Sequence, residues 1–217
     1  GVARPEWSSA AAWLDVDLDG NLDLFVVNYV AWSPEIEIFT TLDGVTKAFT
    51  TPDRYVGLPC RYLRNRGDGT FLDASASGGL ADHLGKGLGV AIWDFDGDGI
   101  SDVVVANDTR PNFLFLNRGG VFEERGLEAG VAYDENGRAR AGMGIDVAAD
   151  MGDGAPCIAI GNFSGEPMSL YRRTKPLVFS SAAEAAGLGG PTIDPLTFGL
   201  HFADFDLDGA LDLMLAN

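Results

Sequence analysis

Hydrophobic and polar positions in this chain fall into short blocks that recur in a fixed order. A run of alternating carboxylates, Asp15-Val16-Asp17-Leu18-Asp19-Gly20-Asn21-Leu22-Asp23, opens onto the apolar stretch Leu24-Phe25-Val26-Val27-Asn28. The same order returns at Asp94-Phe95-Asp96-Gly97-Asp98-Gly99-Ile100-Ser101-Asp102, followed by Val103-Val104-Val105-Ala106-Asn107. It returns again at Asp204-Phe205-Asp206-Leu207-Asp208-Gly209-Ala210-Leu211-Asp212, ahead of Leu213 to Asn217. A degenerate copy spans 149–157, where Asp153-Gly154 matches Asp98-Gly99 and Ile158-Ala159-Ile160-Gly161-Asn162 matches the strand. Short β-branched or apolar runs bounded by Gly and Asp predict strands, so each acidic run is a loop between two strands.

The segments between these loops repeat too. Tyr62-Leu63-Arg64-Asn65, Leu114-Phe115-Leu116-Asn117 and Leu170-Tyr171-Arg172-Arg173 read as third strands, and Phe71, Phe122 and Phe179 each stand eight residues before a Gly. Each unit is therefore strand, acidic loop, strand, turn, strand, Gly-rich turn and Phe strand. Four strands per repeat predict an all-β fold, a β-propeller of four-stranded blades with three and a half to four blades in this stretch. A β-sandwich is the alternative, but it requires no repeated unit. Residues 1–217 are read as one segment, with loop starts at 15, 94, 149 and 204; the first interval of 79 against 55 places an insertion at about 31–59.

Composition agrees with a turn-rich globular chain: 29 Gly and 10 Pro, with 46% hydrophobic residues. The formal charge of −17 opposes nucleic-acid phosphates and anionic headgroups and favours cations. No apolar run reaches the roughly 18–20 residues that cross a bilayer, so membrane insertion is not expected. Cys60 and Cys157 are too few for a disulfide scaffold, and a bridge between them is left open. Neither end reads as a natural terminus, so a targeting segment is expected outside these residues.

Hard oxygen ligands at alternating positions of a tight loop are the chemistry of Ca²⁺. In the first loop positions 1, 3, 5 and 9 are Asp15, Asp17, Asp19 and Asp23, with the carbonyl of Asn21 at position 7. The second offers Asp94, Asp96, Asp98 and Asp102 with the carbonyl of Ile100; the last offers Asp204, Asp206, Asp208 and Asp212 with that of Ala210. Gly20, Gly99 and Gly209 permit the sharp turn. Carboxylates brought so close repel without a cation. An EF-hand is excluded by position 12, where Val26, Val105 and Leu215 lie in apolar strands rather than a Glu in a helix. In the degenerate loop, positions 1, 3 and 9 are Ala149, Met151 and Cys157, and only Asp153 is in register, so no ion is expected there.

The pattern Asp-x-Asp-x-Asp-Gly-x-x-Asp before an apolar strand resembles the FG-GAP, or VCBS-type, repeats of integrin α-subunit propellers. The stretches Arg64-Asn65-Arg66-Gly67-Asp68-Gly69-Thr70-Phe71, Gly85-Lys86-Gly87-Leu88-Gly89-Val90, Val105 to Phe115 and Gly137 to Gly144 resemble the cartilage acidic protein and ASPIC/UnbV-type family. That resemblance implies a secreted, periplasmic or cell-surface propeller of seven blades, with calcium in its loops and no catalytic role.

Other residues are expected to be structural. His83 and His201 lack a nucleophile motif, Arg66-Gly67-Asp68 sits in a hairpin turn, and Trp13 and Trp93 are expected to pack between blades. Tyr29, Trp32, Phe39, Phe49 and Tyr55, in and beside the insertion, are candidate contact residues on a rim that binds a protein or glycan. The leading expectation is a calcium-stabilised interaction module. A propeller scaffold of a polysaccharide-acting enzyme and an architectural spacer are the alternatives.

Overall fold

The computed structural model describes residues 2–150, 152 and 154–217. The first hairpin joins β1 (Ser8–Leu14) to β2 (Asp23–Asn28). The two-residue strands β3 (Thr40–Thr41) and β4 (Lys47–Ala48) interrupt the chain, and β5 (Arg61–Asn65) and β6 (Phe71–Asp73) then complete an antiparallel sheet ordered β1-β2-β5-β6. The second sheet is an unbroken meander of β7 (Gly87–Trp93), β8 (Asp102–Asn107), β9 (Phe113–Asn117) and β10 (Phe122–Glu124). One helical turn, α1 (Gly126–Ala129), links it to the third meander: β11 (Gly142–Ala149), β12 (Pro156–Asn162), β13 (Ser169–Lys175) and β14 (Val178–Ser181). A last hairpin pairs β15 (Gly199–Ala203) with β16 (Asp212–Ala216).

The sheets stack face to face in chain order. One core lies between the first two sheets, where Val16, Phe25, Val27 and Tyr62 meet Val105, Phe115 and Phe122. A second joins Phe95, Val104 and Leu114 to Ile158, Ile160 and Phe179, and a third brings Ala159 and Leu170 against Leu200, Phe202, Leu213 and Leu215. Every residue of β8 and β12 is buried. A strand covered on both faces has no solvent side to alternate with, which is why these segments read as continuous apolar runs. The first strands lie side by side, β1 on β7, β7 on β11 and β11 on β15. Such close approach is possible at Gly144, where an added Cβ would collide with the backbone carbonyl of Phe198.

One expectation fails. Trp13 does not pack between sheets: it is 56% exposed and meets Phe71 at a centroid distance of 6.0 Å. It stands two residues before its loop whereas Trp93 stands one before, and a shift of one residue turns a strand side chain to the opposite face. Trp93 does pack on the second core, and in the first sheet the matching position is Leu14.

The insertion is tied to the first sheet by Ala31 N to Val56 O (2.8 Å) and Leu58 N to Tyr29 O (3.1 Å). Of its aromatics, Phe39 and Phe49 are exposed, while Trp32 lies edge-on to Trp7 at 5.6 Å. Cys60, just ahead of β5, and Cys157, in β12, are both free thiols in buried positions, and burial pushes Cys60 up to about 12. Among the described residues no helix is long and apolar enough to cross a membrane.

Candidate metal centre

All three acidic loops are the turns of first-to-second-strand hairpins, so they emerge at the same end of their sheets. Their backbones are wound around the position-one carboxylate. Asp94 accepts from the amides of Gly97 (2.7 Å), Asp98 (3.1 Å) and Gly99 (2.9 Å). Asp15 accepts from Asp19 and Gly20, and Asp204 from Asp208 and Gly209, at 2.9 to 3.1 Å. The position-six glycines hold φ near +88°, open to Gly at no steric cost. At position four Gly97 shares that left-handed conformation, but Leu18 (φ 58°) and Leu207 (φ 62°) must adopt it with a side chain.

The position-five carboxylate turns back on position seven. Amides of Asn21, Ile100 and Ala210 donate to Asp19, Asp98 and Asp208, each at 2.8 Å. Those amide bonds, led by the Asn21 backbone, hold the Asp19 carboxyl below its ordinary range. Position nine is different in kind. Asp102 is fully buried at the head of β8 and accepts from Phe95 N and Asn117 N, both at 2.8 Å. Burial pushes its carboxyl up to about 6 against the pull of those amides. Asp23 is its counterpart, taking amides from Val16 and Asn65 and the hydroxyl of Tyr62, and burial raises it too.

Carboxylate oxygens converge within 4.8 Å of one another in three sets: Asp15, Asp17 and Asp19; Asp94, Asp96 and Asp102; Asp204, Asp206 and Asp212. Asp23, Asp98 and Asp208 stand beside these sets rather than in them. The donors are all hard oxygens, and Oδ1 of Asp17 is buried with no hydrogen-bond partner. A stranded carboxylate oxygen beside two further carboxylates fits a hard divalent cation, which would supply the missing positive charge and take that lone pair. Asp15, Asp17 and Asp19 would hold it in the first loop, and the matching sets in the other two.

Arginines escaped the sequence reading. Arg64 pairs with Asp17 at 2.6 Å, and Arg118 bridges Asp96 (2.7 Å) and Asp98 (2.8 Å). Both flank the third-strand asparagine, Asn65 or Asn117, which was the available signal. Each guanidinium offsets part of the repulsion among its loop's carboxylates. In the degenerate unit β11 runs on through Ala149, and Arg172 pairs with Asp150 at 3.3 Å. Met151 and Asp153 lie outside the described residues. Asp146, out of register on β11, is occupied by Phe202 N (2.9 Å) and His201 Nδ1 (2.8 Å). His83 packs edge-on against Phe113 and Phe115. Within Arg66-Gly67-Asp68 the carboxylate is engaged by Thr70 N and Oγ1, inside its own turn.

Stacked antiparallel sheets with acidic turns at a common end define an all-β repeat protein. No family model matches the chain. A 54-residue stretch, 25% of this chain, is 52% identical to cartilage acidic protein 1 of Homo sapiens. The corresponding identities to the Xenopus tropicalis and Mus musculus proteins of that name are 47% and 46%. The match spans 8% of the length of each of these relatives.

Proposed function

We propose that this chain is a calcium-stabilised, non-catalytic interaction module, a segment of a β-propeller in which each four-stranded sheet is a blade. The observation that carries the reading is the convergence of three carboxylates within 4.8 Å in each of three loops at one end of the fold. The serial stacking of the sheets about their first strands supports the propeller, as do the repeat-by-repeat correspondences within them. The local identity with cartilage acidic protein 1 supports a place in that family and an extracellular setting. The partner, a protein or a glycan, would be met on a rim. Phe39, Phe49 and Trp32 of the insertion offer exposed aromatic surface of the kind interfaces use.

Calcium that binds only the folded loops raises stability by mass action, by about 2.7 kcal/mol per site at a hundred times the dissociation constant. The melting temperature is therefore expected to rise on adding calcium and fall with a chelator. Asp96→Ala removes the second loop's share of that rise and leaves the other two. A melting temperature indifferent to calcium, in the native chain as in Asp96→Ala, would overturn the proposal.

A further inference from the structure

Two guanidiniums reach the same carboxylate of successive loops from different places in the chain. Arg64 stands one residue before Asn65 and Arg118 one residue after Asn117, yet each closes on the position-three aspartate of its loop. Neither belongs to the loop it serves, since Arg64 lies on β5 and Arg118 directly follows β9. Nη2 of Arg64 is 2.6 Å from Oδ2 of Asp17 and 4.0 Å from Oδ2 of Asp19. Nη1 of Arg118 sits between Oδ2 of Asp96 (2.7 Å) and Oδ2 of Asp98 (2.8 Å). The loop at 204–212 makes no ion pair among the described residues.

These pairs leave ligand oxygens free. Oδ1 of Asp17 is buried without a hydrogen-bond partner although Oδ2 holds Arg64. Asp15, Asp17 and Asp19 still converge within 4.8 Å, as do Asp94, Asp96 and Asp102. Both arginine side chains are more exposed than the aspartates they hold, 49% against 14% and 37% against 13%.

Two effects of opposite sign follow. In a loop without an ion, the guanidinium offsets repulsion among the carboxylates and makes the folded loop easier to hold. Beside a bound ion, the same charge repels a divalent cation. Ligand charge count tunes the affinity of oxygen-ligand calcium loops, and each guanidinium lowers the effective count by one.

We propose that Arg64 and Arg118 are built-in counter-cations that set the calcium threshold of their loops. Each keeps its loop folded when the ion is scarce and weakens the ion's binding when it is present. The inference rests on the reading of these loops as calcium sites.

The test uses Arg64→Gln and Arg118→Gln in the full chain, which remove the charge and keep a polar tip. Melting in a chelator is measured beside calorimetric titration with calcium. Each variant is expected to melt about 2–4 °C below the native chain in chelator, the worth of a surface ion pair in a network. Each is also expected to bind one calcium about tenfold more tightly, because a divalent ion about 6 Å from a unit charge feels roughly that factor even in water. Arg118→Lys, which keeps the charge, should stay near the native values in both measurements. Equal losses of melting temperature with and without calcium would overturn the proposal, because the arginines would then be structural only. Weaker calcium binding in the variants would overturn it too, by showing that the guanidinium positions the ligands instead. If the native chain neither binds calcium nor melts higher with it, the calcium reading itself falls; native binding that the substitutions leave unchanged defeats the threshold alone.

Discussion

Asn117 and Asn65 occupy the same place in successive repeats, yet their removal should cost very different amounts. In both, the side-chain amide donates to the residue before the position-nine aspartate, Ser101 (3.2 Å) or Leu22 (2.9 Å), and the side-chain oxygen accepts from a turn glycine at 2.9 Å. Asn117 alone also reaches across to the neighbouring sheet, donating to Val16 O at 2.8 Å. It is fully buried, whereas Asn65 is partly solvated. Asn65→Ala loses two bonds that water can replace, about 1 kcal/mol. Asn117→Ala loses three, two of them part-buried, and strands the buried carbonyl of Val16, for about 3–4 kcal/mol in all. For a chain of this size that is a fall of about 6–16 °C in melting temperature. Urea unfolding of the two variants side by side measures the difference. Costs agreeing within about 0.5 kcal/mol would refute the claim that this amide ties the two sheets together.

Leu207→Gly, at a leucine 86% exposed with φ 62°, should stabilise the chain by about 0.5–1 kcal/mol; the strain relieved outweighs the added freedom of the unfolded chain, and chemical denaturation reads the gain. Loss of stability would show that the left-handed leucine is not strained. Gly144→Ala drives a Cβ into the Phe198 carbonyl between β11 and β15, so a cost of about 1–3 kcal/mol is expected in the same assay, and a neutral result would contradict the close approach. Cys60, its thiol pushed up to about 12 by burial, and the buried Cys157 should resist thiol reagents at about pH 8 until the chain unfolds. Rapid labelling of the folded protein would refute their enclosure.

Much of the strand order was legible because each repeat writes its own punctuation. A Gly at position six, an Asp at position nine and an Asn at the end of the strand recur, and each serves the backbone. Asn28, Asn107 and Asn162 close their strands by donating to the carbonyls of Pro59, Pro111 and Pro167 at 2.6 to 2.9 Å. Trp13 was misplaced because its face depends on a one-residue offset from its loop, which a list of flanking residues does not weigh. The loop arginines were missed for a related reason. Arg64 and Arg118 sit on opposite sides of the repeat's asparagine, so no fixed spacing marks them, and only the fold carries both guanidiniums to their carboxylates.

The all-β character, the four-strand unit and the acidic turns are written in the order of residues, since they follow from interactions within a few residues of one another: alternation, Asx-type bonds and left-handed glycines. What faces what is set by the packing of the sheets. That Asp23 and Asp102 are buried strand heads, that Asn117 bridges two sheets, and that Asp108 accepts the Tyr29 hydroxyl all depend on partners up to about a hundred residues away. Burial and charge pairing are properties of those distant neighbours, and no local pattern in the chain encodes them.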